Sequence, residues 1–192
     1  MKLYKNTVLI GISGGIAAYK IKELIVSLRD KKIDVHVMMT KSASIMIDPK
    51  ELRDVSSNKV YINLFDEDFD YKEVLGKRKV DHIQLADKAD LLVIAPATAN
   101  IIGKIASGIA DDFLTTTVLA TRVPVMICPS MNVNMWNNPI VQKNISKLQG
   151  IGYKVIHPDS GALACGYEGK GRLPEISKLS KEILKILSIN AN

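Results

Sequence analysis

The sequence predicts an α/β protein: one doubly wound domain with a parallel sheet of about six strands and helices on both faces. Short apolar or β-branched runs alternate along the chain with segments of helical periodicity. Most of the short runs are apolar at every position, which indicates strands that are covered by helices on both faces. The length of 192 residues is that of a single domain with one core.

Strands are predicted at six places along the chain, at 7–12, 34–40, 60–64, 91–95, 123–128 and 153–157. Helices are predicted between and after them, at 15–31, 45–55, 98–120, 137–149 and 175–189. Segment 65–80 lacks clean periodicity and is expected to be a loop leading into a short helix near His82. Segment 158–174 is rich in glycine and is expected to be a long functional loop. This order of elements is typical of Rossmann-like or flavodoxin-like folds.

Composition and charge exclude several classes of protein. The 26 Lys and Arg residues against 20 Asp and Glu give a net charge of +6, but the lysines are spread along predicted helices and only 5% of residues are aromatic. We therefore expect no nucleic acid as a partner. The longest apolar runs, such as 91–99 and 123–128, are far shorter than a membrane span requires, so no membrane is expected either. The first residues show no secretory signal, which favours a cytoplasmic protein. The two cysteines, Cys128 and Cys165, are expected to be reduced, and no cluster of ligands indicates a metal site.

A turn rich in small residues follows the first strand, with the sequence GISGGIAAYK at 11–20. Glycines let the backbone approach a ligand where a helix begins, and helix amides favour an anion. The spacing is neither that of a dinucleotide motif nor that of a P-loop, which leaves a mononucleotide such as FMN. A tight turn without a ligand is the alternative. Thr40, Lys41 and Ser42 end the second strand and are expected beside this turn.

Polar residues also follow the fourth and fifth strands, as PATAN at 96–100 and PSMNVNMW at 129–136. Thr98 suits either a ligand or a helix cap, and Asn132 suits either a ligand or a backbone contact. His82 could accept a proton near neutral pH, although a lone histidine at a helix end is more often structural. Cys165 lies in the glycine-rich segment, whereas Cys128 ends an apolar strand and is expected in the core.

Taken in order, these motifs resemble the homo-oligomeric flavin-containing cysteine decarboxylases, from about residue 6 to residue 175. The most specific elements are P-x-M-N-x-x-M-W at 129–136 and A-C-G-x-x-G-x-G at 164–171. The resemblance implies that 1–192 is a single flavoprotein decarboxylase domain that binds FMN. It also implies conversion of 4′-phosphopantothenoylcysteine to 4′-phosphopantetheine in coenzyme A biosynthesis. The thiol would be oxidised to a thioaldehyde, CO2 would leave, and the resulting enethiol would be reduced.

The same resemblance implies roles for individual residues. His82 would be the base of the oxidative half, Asn132 would hold the substrate carboxylate or the adjacent amide, and Cys165 would donate the final proton. The backbone of three residues would line the substrate: Ala162, Ala164 and Leu173. The residues expected to bind the flavin are Gly14, Gly15, Ile16, Thr40, Lys41, Ser42, Thr98, Ala99, Asn100, Ile101 and Ser130.

In this family the flavin lies between the protomers of a trimer, and trimers can assemble into dodecamers. Many bacterial relatives also carry a ligase domain, so a chain ending at Asn192 implies a separate phosphopantothenate–cysteine ligase. Three alternatives stay open. A peptidyl-cysteine decarboxylase would release the enethiol and would not need Cys165, and a flavin prenyltransferase should lack the Asn132 motif. A non-catalytic flavin-binding regulator of a phosphatase often carries a long acidic tail, which is absent here.

Overall fold

A six-stranded sheet forms the centre of the molecule. The computed structural model describes residues 6–65, 69–77, 80–164 and 166–189. The strands of the sheet are β1 (Asn6–Ile12), β2 (Ile33–Met39), β3 (Val60–Tyr61), β4 (Leu91–Ala97), β5 (Val125–Pro129) and β6 (Lys154–Val155). They are all parallel, in the order β3-β2-β1-β4-β5-β6, which is the Rossmann order. The predicted doubly wound sheet is therefore confirmed, with β3 and β6 shorter than expected.

Helices connect these strands, beginning with a 3-10 helix (Ile16–Lys20) that leads directly into α1 (Ile21–Asp30). The remaining helices are α2 (Ala43–Met46), α3 (Pro49–Ser56), α4 (Tyr71–Lys77), α5 (Asp81–Lys88), α6 (Ala99–Ser107), α7 (Phe113–Ala120), α8 (Val133–Asn137), α9 (Pro139–Gly150) and α10 (Ile176–Ile189). Within the described part of the chain, no helix is long and apolar enough to cross a membrane.

Each face of the sheet has its own apolar core, because successive side chains of a strand point to opposite faces. In β1, Val8 and Ile10 belong to one core and Leu9 belongs to the other, and all three are fully buried. The first core is covered by α1, α3 and α10, and the second by α5, α6, α7 and α9. Because both faces are buried, the strands are apolar at nearly every position.

Two predicted helical segments differ from the structure, one because it is divided in two and one because a further short helix precedes it. Segment 98–120 is not one helix: α6 ends at Gly108, which adopts a left-handed conformation with φ of 71°. A capping box formed by Asp112 and Thr115 then starts α7. Segment 137–149 is preceded by the short α8, and the side chain of Asn138 caps α9 by accepting from the amide of Ile140 at 2.9 Å.

Two predicted loops contain regular structure. Segment 65–80 includes α4, and the helix expected near His82 is present as α5. Segment 158–174 contains an antiparallel hairpin of β7 (Asp159–Ala162) and β8 (Glu168–Arg172). The prediction of an extended loop was wrong because the strands of this hairpin carry glycine and polar residues, which give no apolar strand signal.

Candidate active site

A cavity of about 510 Å³ opens at the carboxyl edge of the sheet, where the strand order reverses between β1 and β4. Five parts of the chain surround it: the turn and 3-10 helix after β1, the end of α2, the start of α6, the loop after β5 with α8, and the β7–β8 hairpin with the residue that follows it. The lining residues are Gly14, Gly15, Ile16, Ala17, Tyr19, Lys20, Met46, Thr98, Ser130, Met131, Asn132, Met135, Ala162, Leu163, Ala164, Gly171, Arg172 and Leu173.

The turn after β1 packs tightly against the end of β2. A Cβ atom on Gly14 would lie 2.5 Å from Oγ of Ser42 and 3.0 Å from its backbone carbonyl carbon, so only glycine fits there. Ser42 Oγ and Thr40 Oγ1 are hydrogen-bonded at 3.0 Å. The glycine turn and a pair of hydroxyl groups are therefore adjacent, as the sequence predicted.

Ser13 joins the turn after β1 to the segment after β4. Its hydroxyl donates to the carbonyl oxygen of Pro96 at 2.7 Å and accepts from the amide of Thr98 at 2.9 Å. Thr98 also caps α6, because its hydroxyl accepts from the amide of Ile101 at 3.4 Å. Both interpretations of Thr98 are thus compatible, since it caps a helix and lines the cavity.

The β7–β8 hairpin is held against the loop after β5. The amide of Met131 donates to the carbonyl oxygen of Gly171 at 3.0 Å. A Cβ atom on Gly171 would lie 2.1 Å from the carbonyl oxygen of Met131, and one on Gly169 would lie 2.8 Å from Cγ2 of Val133. Two glycines of the A-C-G-x-x-G-x-G motif therefore allow the hairpin to dock beside Asn132.

Asn132 occupies the start of α8. Its Oδ1 accepts from the amide of Asn134 at 2.8 Å, as in a helix cap, and the residue lines the cavity. The backbone contact fixes the orientation of the side chain, and an amide group is of the right type to bind a carboxylate or carbonyl oxygen. Asn132 therefore both caps a helix and lines the cavity.

Positive charge dominates the cavity. Two of the described lining residues, Lys20 and Arg172, are cations, and none is acidic. Arg172 Nη2 forms an ion pair at 3.0 Å with Glu175, which lies outside the lining. Elsewhere the wall is mostly apolar, with three methionines (Met46, Met131 and Met135) and few hydroxyl and amide groups. Such a wall suits a planar apolar ring with polar edges and an anionic end.

His82 is not among the described residues that line this cavity. It is the second residue of α5, and its ring meets that of Phe113 edge-on with 6.1 Å between centroids. Burial lowers the pKa of His82, and the neighbouring Asp81 carboxylate opposes this by favouring the charged form. The imidazole is therefore neutral at pH 7 and able to accept a proton.

Nine of the predicted site residues line the cavity: Gly14, Gly15, Ile16, Thr98, Ser130, Asn132, Ala162, Ala164 and Leu173. Thr40, Lys41 and Ser42 lie behind the glycine turn, at the end of β2. Ala99, Asn100 and Ile101 form the first turn of α6, and the side chain of Ile101 is fully buried in the second core. Cys165 lies outside the described residues.

Sequence reasoning missed nine lining residues: Ala17, Tyr19, Lys20, Met46, Met131, Met135, Leu163, Gly171 and Arg172. Most of them lie within four positions of predicted residues in the same motifs, so continuing each motif by that distance would have found them. Met46 is different, because it follows no strand directly. It reaches the cavity because α2 packs against the 3-10 helix.

Comparison with known proteins defines the class of this protein. The family model described as "Flavoprotein" matches residues 1–188. The chain belongs to the flavoprotein family. Its fold and the described cavity residues agree with that assignment, since the cavity lies at the switch point of a doubly wound sheet.

Two curated relatives refine the comparison. The chain is 46% identical over 179 residues to the coenzyme A biosynthesis bifunctional protein CoaBC of Bacillus subtilis, covering 93% of this chain and 42% of that protein. It thus spans about two fifths of the length of this relative. It is also 40% identical over 178 residues to a probable phosphopantothenoylcysteine decarboxylase of Streptococcus mutans, covering 92% of this chain and 96% of that protein.

Solved structures are similar over nearly the whole chain. A cysteine-to-serine mutant of a PPC decarboxylase, complexed with pantothenoylaminoethenethiol, matches with a TM-score of 0.81 and 30% identity, covering 96% of this chain and 99% of its own. The FMN-dependent cysteine decarboxylase SpaF matches with a TM-score of 0.79 and 31% identity, covering 96% and 99%.

Proposed function

We propose that this chain is an FMN-dependent carboxy-lyase that converts 4′-phosphopantothenoylcysteine to 4′-phosphopantetheine, with 1–192 acting as a single decarboxylase domain. The observation that carries the proposal is the convergence of three motifs on one cavity. The Gly14-Gly15 turn, the loop containing Asn132 and the hairpin that flanks position 165 all contribute to its wall. The similarity to the Streptococcus mutans protein, over nearly the full length of both chains, supports the same activity.

The cavity suits FMN. Gly14 and Gly15 would admit the phosphate close to the backbone, beside the hydroxyl groups of Thr40 and Ser42. Thr98 and Ser130 offer polar groups for the edge of the flavin ring, and the methionines offer an apolar surface for its faces. Lys41, Ala99 and Asn100 remain proposed contacts from the flanking turns. Ile101 would contribute only backbone atoms, because its side chain is fully buried in the second core.

The reaction needs groups that bind the substrate and move protons. When bound, FMN supplies a two-electron acceptor and donor, so that the carbon bearing sulfur can be oxidised before CO2 leaves and reduced afterwards. Asn132 would hold the substrate carboxylate or the adjacent amide, and the backbone of Ala162, Ala164 and Leu173 would line the substrate. Cys165 would protonate the enethiol during its reduction. Without that proton, the unsaturated product would accumulate.

His82 would act as the base that accepts the proton of the substrate thiol. Because it does not line the cavity of its own chain among the described residues, we propose that it acts on the cavity of a neighbouring protomer. The flavin would then lie between protomers, and in keeping with the resemblance we propose that the protomers form a trimer, alone or assembled into a dodecamer. The cofactor site is then complete only in the oligomer.

Exposed apolar surface supports such an assembly. Ile16 and Tyr19 line the cavity and are each 61% exposed, while Met46 is 50% exposed. Next to His82, Ile83 is 42% exposed, and Leu119 on the adjacent α7 is 52% exposed. Apolar surfaces of this kind are typical of subunit interfaces, where a second chain removes them from water.

The proposal also implies a place in metabolism. A separate phosphopantothenate–cysteine ligase would join cysteine to phosphopantothenate and supply the substrate. The product would continue towards coenzyme A. The cytoplasmic location predicted from the sequence belongs to the same proposal.

Mass spectrometry of the product tests this function. The FMN-loaded protein is incubated with 4′-phosphopantothenoylcysteine, and saturated 4′-phosphopantetheine is expected. Release of an enethiol would retain the flavin chemistry but contradict the role of Cys165. A flavin-loaded protein that leaves this substrate unchanged, but decarboxylates a peptide ending in cysteine, would be a peptidyl-cysteine decarboxylase. If the flavin-loaded protein catalyses neither reaction, the result would favour a non-catalytic regulator of a phosphatase.

A further inference from the structure

The cavity contains a cation that the proposed chemistry leaves without a role. Lys20 lines the cavity at the end of the 3-10 helix and is only partly exposed. We infer that Lys20 binds the phosphate group of the substrate and selects phosphorylated over unphosphorylated substrates. This inference rests on the proposed function, because it assigns a group of that substrate to a residue of the same cavity.

The charge balance of the cavity supports this inference. Both cationic residues of the described wall face a space without a carboxylate, so the cavity favours anionic ligands. Arg172 is neutralised in part by Glu175 at 3.0 Å. For Lys20, no carboxylate among the described residues lies within ion-pair distance. Its charge is therefore available to a ligand. Lys22, two residues further on, is paired with Glu51 at 2.9 Å.

Lys20 lies at the other end of the 3-10 helix from the turn that is proposed to bind the cofactor phosphate. That phosphate is assigned to the turn at Gly14 and Gly15, where the hydroxyl groups of Thr40 and Ser42 are adjacent. The rise of a 3-10 helix places the backbone of Lys20 about 8 Å further along the helix than that of Ile16. The cavity therefore offers two distinct places for phosphate groups, one formed by the turn and one formed by an ammonium group.

The chemistry of lysine fits a terminal phosphate monoester. Its ammonium group is a compact charge with three donors on a flexible stem, and it binds phosphate without a fixed planar geometry. A substrate with a peptide in place of the phosphate would gain nothing from it. Lys20 thus offers a physical basis for preferring a phosphopantothenoyl substrate to a cysteine-terminated peptide.

Calorimetric titration of the FMN-loaded protein tests this inference without requiring turnover. The probes are 4′-phosphopantetheine and pantetheine, which differ only in the phosphate group. The wild-type protein should bind the phosphorylated probe more tightly. Lys20→Gln should weaken binding of that probe about tenfold to a hundredfold, as expected for loss of a charged hydrogen bond, and leave pantetheine unaffected.

Two further variants make the result specific. Lys22→Gln removes the same charge from a residue outside the cavity wall and should leave both affinities unchanged. Lys20→Arg keeps the charge and should retain most of the preference. Equal weakening of both probes by Lys20→Gln, or loss of FMN from that variant, would contradict the inference, because Lys20 would then serve the fold or the cofactor.

The test of Lys20 and the test of the proposed function can fail independently of each other. A wild-type protein that forms 4′-phosphopantetheine but shows no preference between the two probes would overturn the inference alone. A protein that prefers the phosphorylated probe but does not decarboxylate 4′-phosphopantothenoylcysteine would overturn the proposed function and leave the assignment of Lys20 intact.

Discussion

Gly14 shows how one missing side chain can define a binding site. A methyl group there would overlap Ser42, including its backbone, so Gly14→Ala forces the turn away from the end of β2. We expect the variant to lose flavin and to lower the free energy of unfolding by about 1–3 kcal/mol. Flavin absorbance of the purified protein and thermal unfolding measure both effects.

Gly103 offers a matched control for Gly14. It lies within α6, and a Cβ atom there would approach only Nδ2 of Asn144, at 3.7 Å. Gly103→Ala should therefore retain flavin and raise the free energy of unfolding by about 0.5–1 kcal/mol, since alanine favours a helix. Normal flavin content in Gly14→Ala would contradict the proposed role of the turn.

Cys165→Ser separates the two halves of the proposed reaction. Serine is a much weaker acid than cysteine, so we expect the enethiol to accumulate, one equivalent per FMN, with further decarboxylation only as dissolved dioxygen reoxidises the reduced flavin. Mass spectrometry distinguishes the enethiol from the saturated product by its two missing hydrogens. Unchanged formation of 4′-phosphopantetheine would remove Cys165 from the mechanism. Cys128→Ser is not a suitable control for Cys165→Ser, because it would place a hydroxyl group in the apolar core.

Asp81 tunes the proposed base. His82 must be neutral to accept a proton, so kcat/KM should fall as the pH drops through the pKa of His82, which burial lowers. The Asp81 carboxylate favours the charged imidazolium. Asp81→Asn removes that effect, lowers the pKa further and should move the acidic limb of the pH profile to lower pH.

The control for Asp81 is Asp87→Asn, an exposed acid on the same helix. It changes the net charge equally and is not among the causes of the shifted pKa of His82. The acidic limb should stay in place. A limb that moves to higher pH in Asp81→Asn, or stays where it was, would show that another group controls the reaction.

At the level of elements, the β7–β8 hairpin packs closely against the loop after β5 because Gly171 has no side chain. Gly171→Ala would place a methyl group 2.1 Å from the carbonyl oxygen of Met131, so the hairpin must move away from the loop that carries Asn132. We expect substrate binding to weaken at least tenfold, because a displaced hairpin no longer lines the cavity. FMN should stay bound, since its proposed contacts lie mostly on the other segments.

The KM for the substrate and the flavin content together test this expectation. Gly150→Ala is the control, because a Cβ atom at Gly150, the last residue of α9, would meet nothing within 4 Å. It should leave both quantities unchanged. Loss of flavin together with substrate binding in Gly171→Ala would show that the hairpin supports the whole cavity rather than its substrate side.

The elements also show what the sequence could predict. The buried strands were found because both faces of the sheet are apolar, as at Val8, Leu9 and Ile10. The hairpin was missed because its pairing depends on glycines that dock against Met131 and Val133, contacts distant in sequence. The break between α6 and α7 had a signal in Gly108 and in the cap at Asp112, but helical periodicity on both sides concealed it.

At the scale of the whole molecule, the proposed site joins two chains. His82→Asn and Asn132→Asp should each be inactive alone. When the two variants are co-expressed as mixed trimers, about a quarter of the sites would combine an intact His82 with an intact Asn132 from different chains. Activity near that fraction is the expected result. If His82 serves the cavity of its own chain, mixing would restore nothing.

The sequence predicted only part of the candidate site, because the proposed site combines residues from two chains. The ends of parallel strands meet at one edge of a sheet, so Gly14, Thr98 and Asn132 could be grouped from their positions after strands. His82 could not be grouped by this rule, because α5 follows no strand directly, and only the resemblance assigned it a role. A residue that would act in the cavity of another chain is not revealed by the order of strands in its own sequence.

The burial of Cys128 has a practical consequence for studying Cys165. Its thiol is fully buried in the first core, and burial raises its pKa far above the usual range, so the reactive thiolate does not form there. The sequence contains only one other cysteine, Cys165. A thiol-selective alkylating reagent that modifies the folded protein must therefore do so at Cys165. The native chain thus carries a single thiol that can report on ligand binding, and the rate of its labelling with and without ligand would follow access of the reagent to the proposed catalytic cysteine without any engineered mutation.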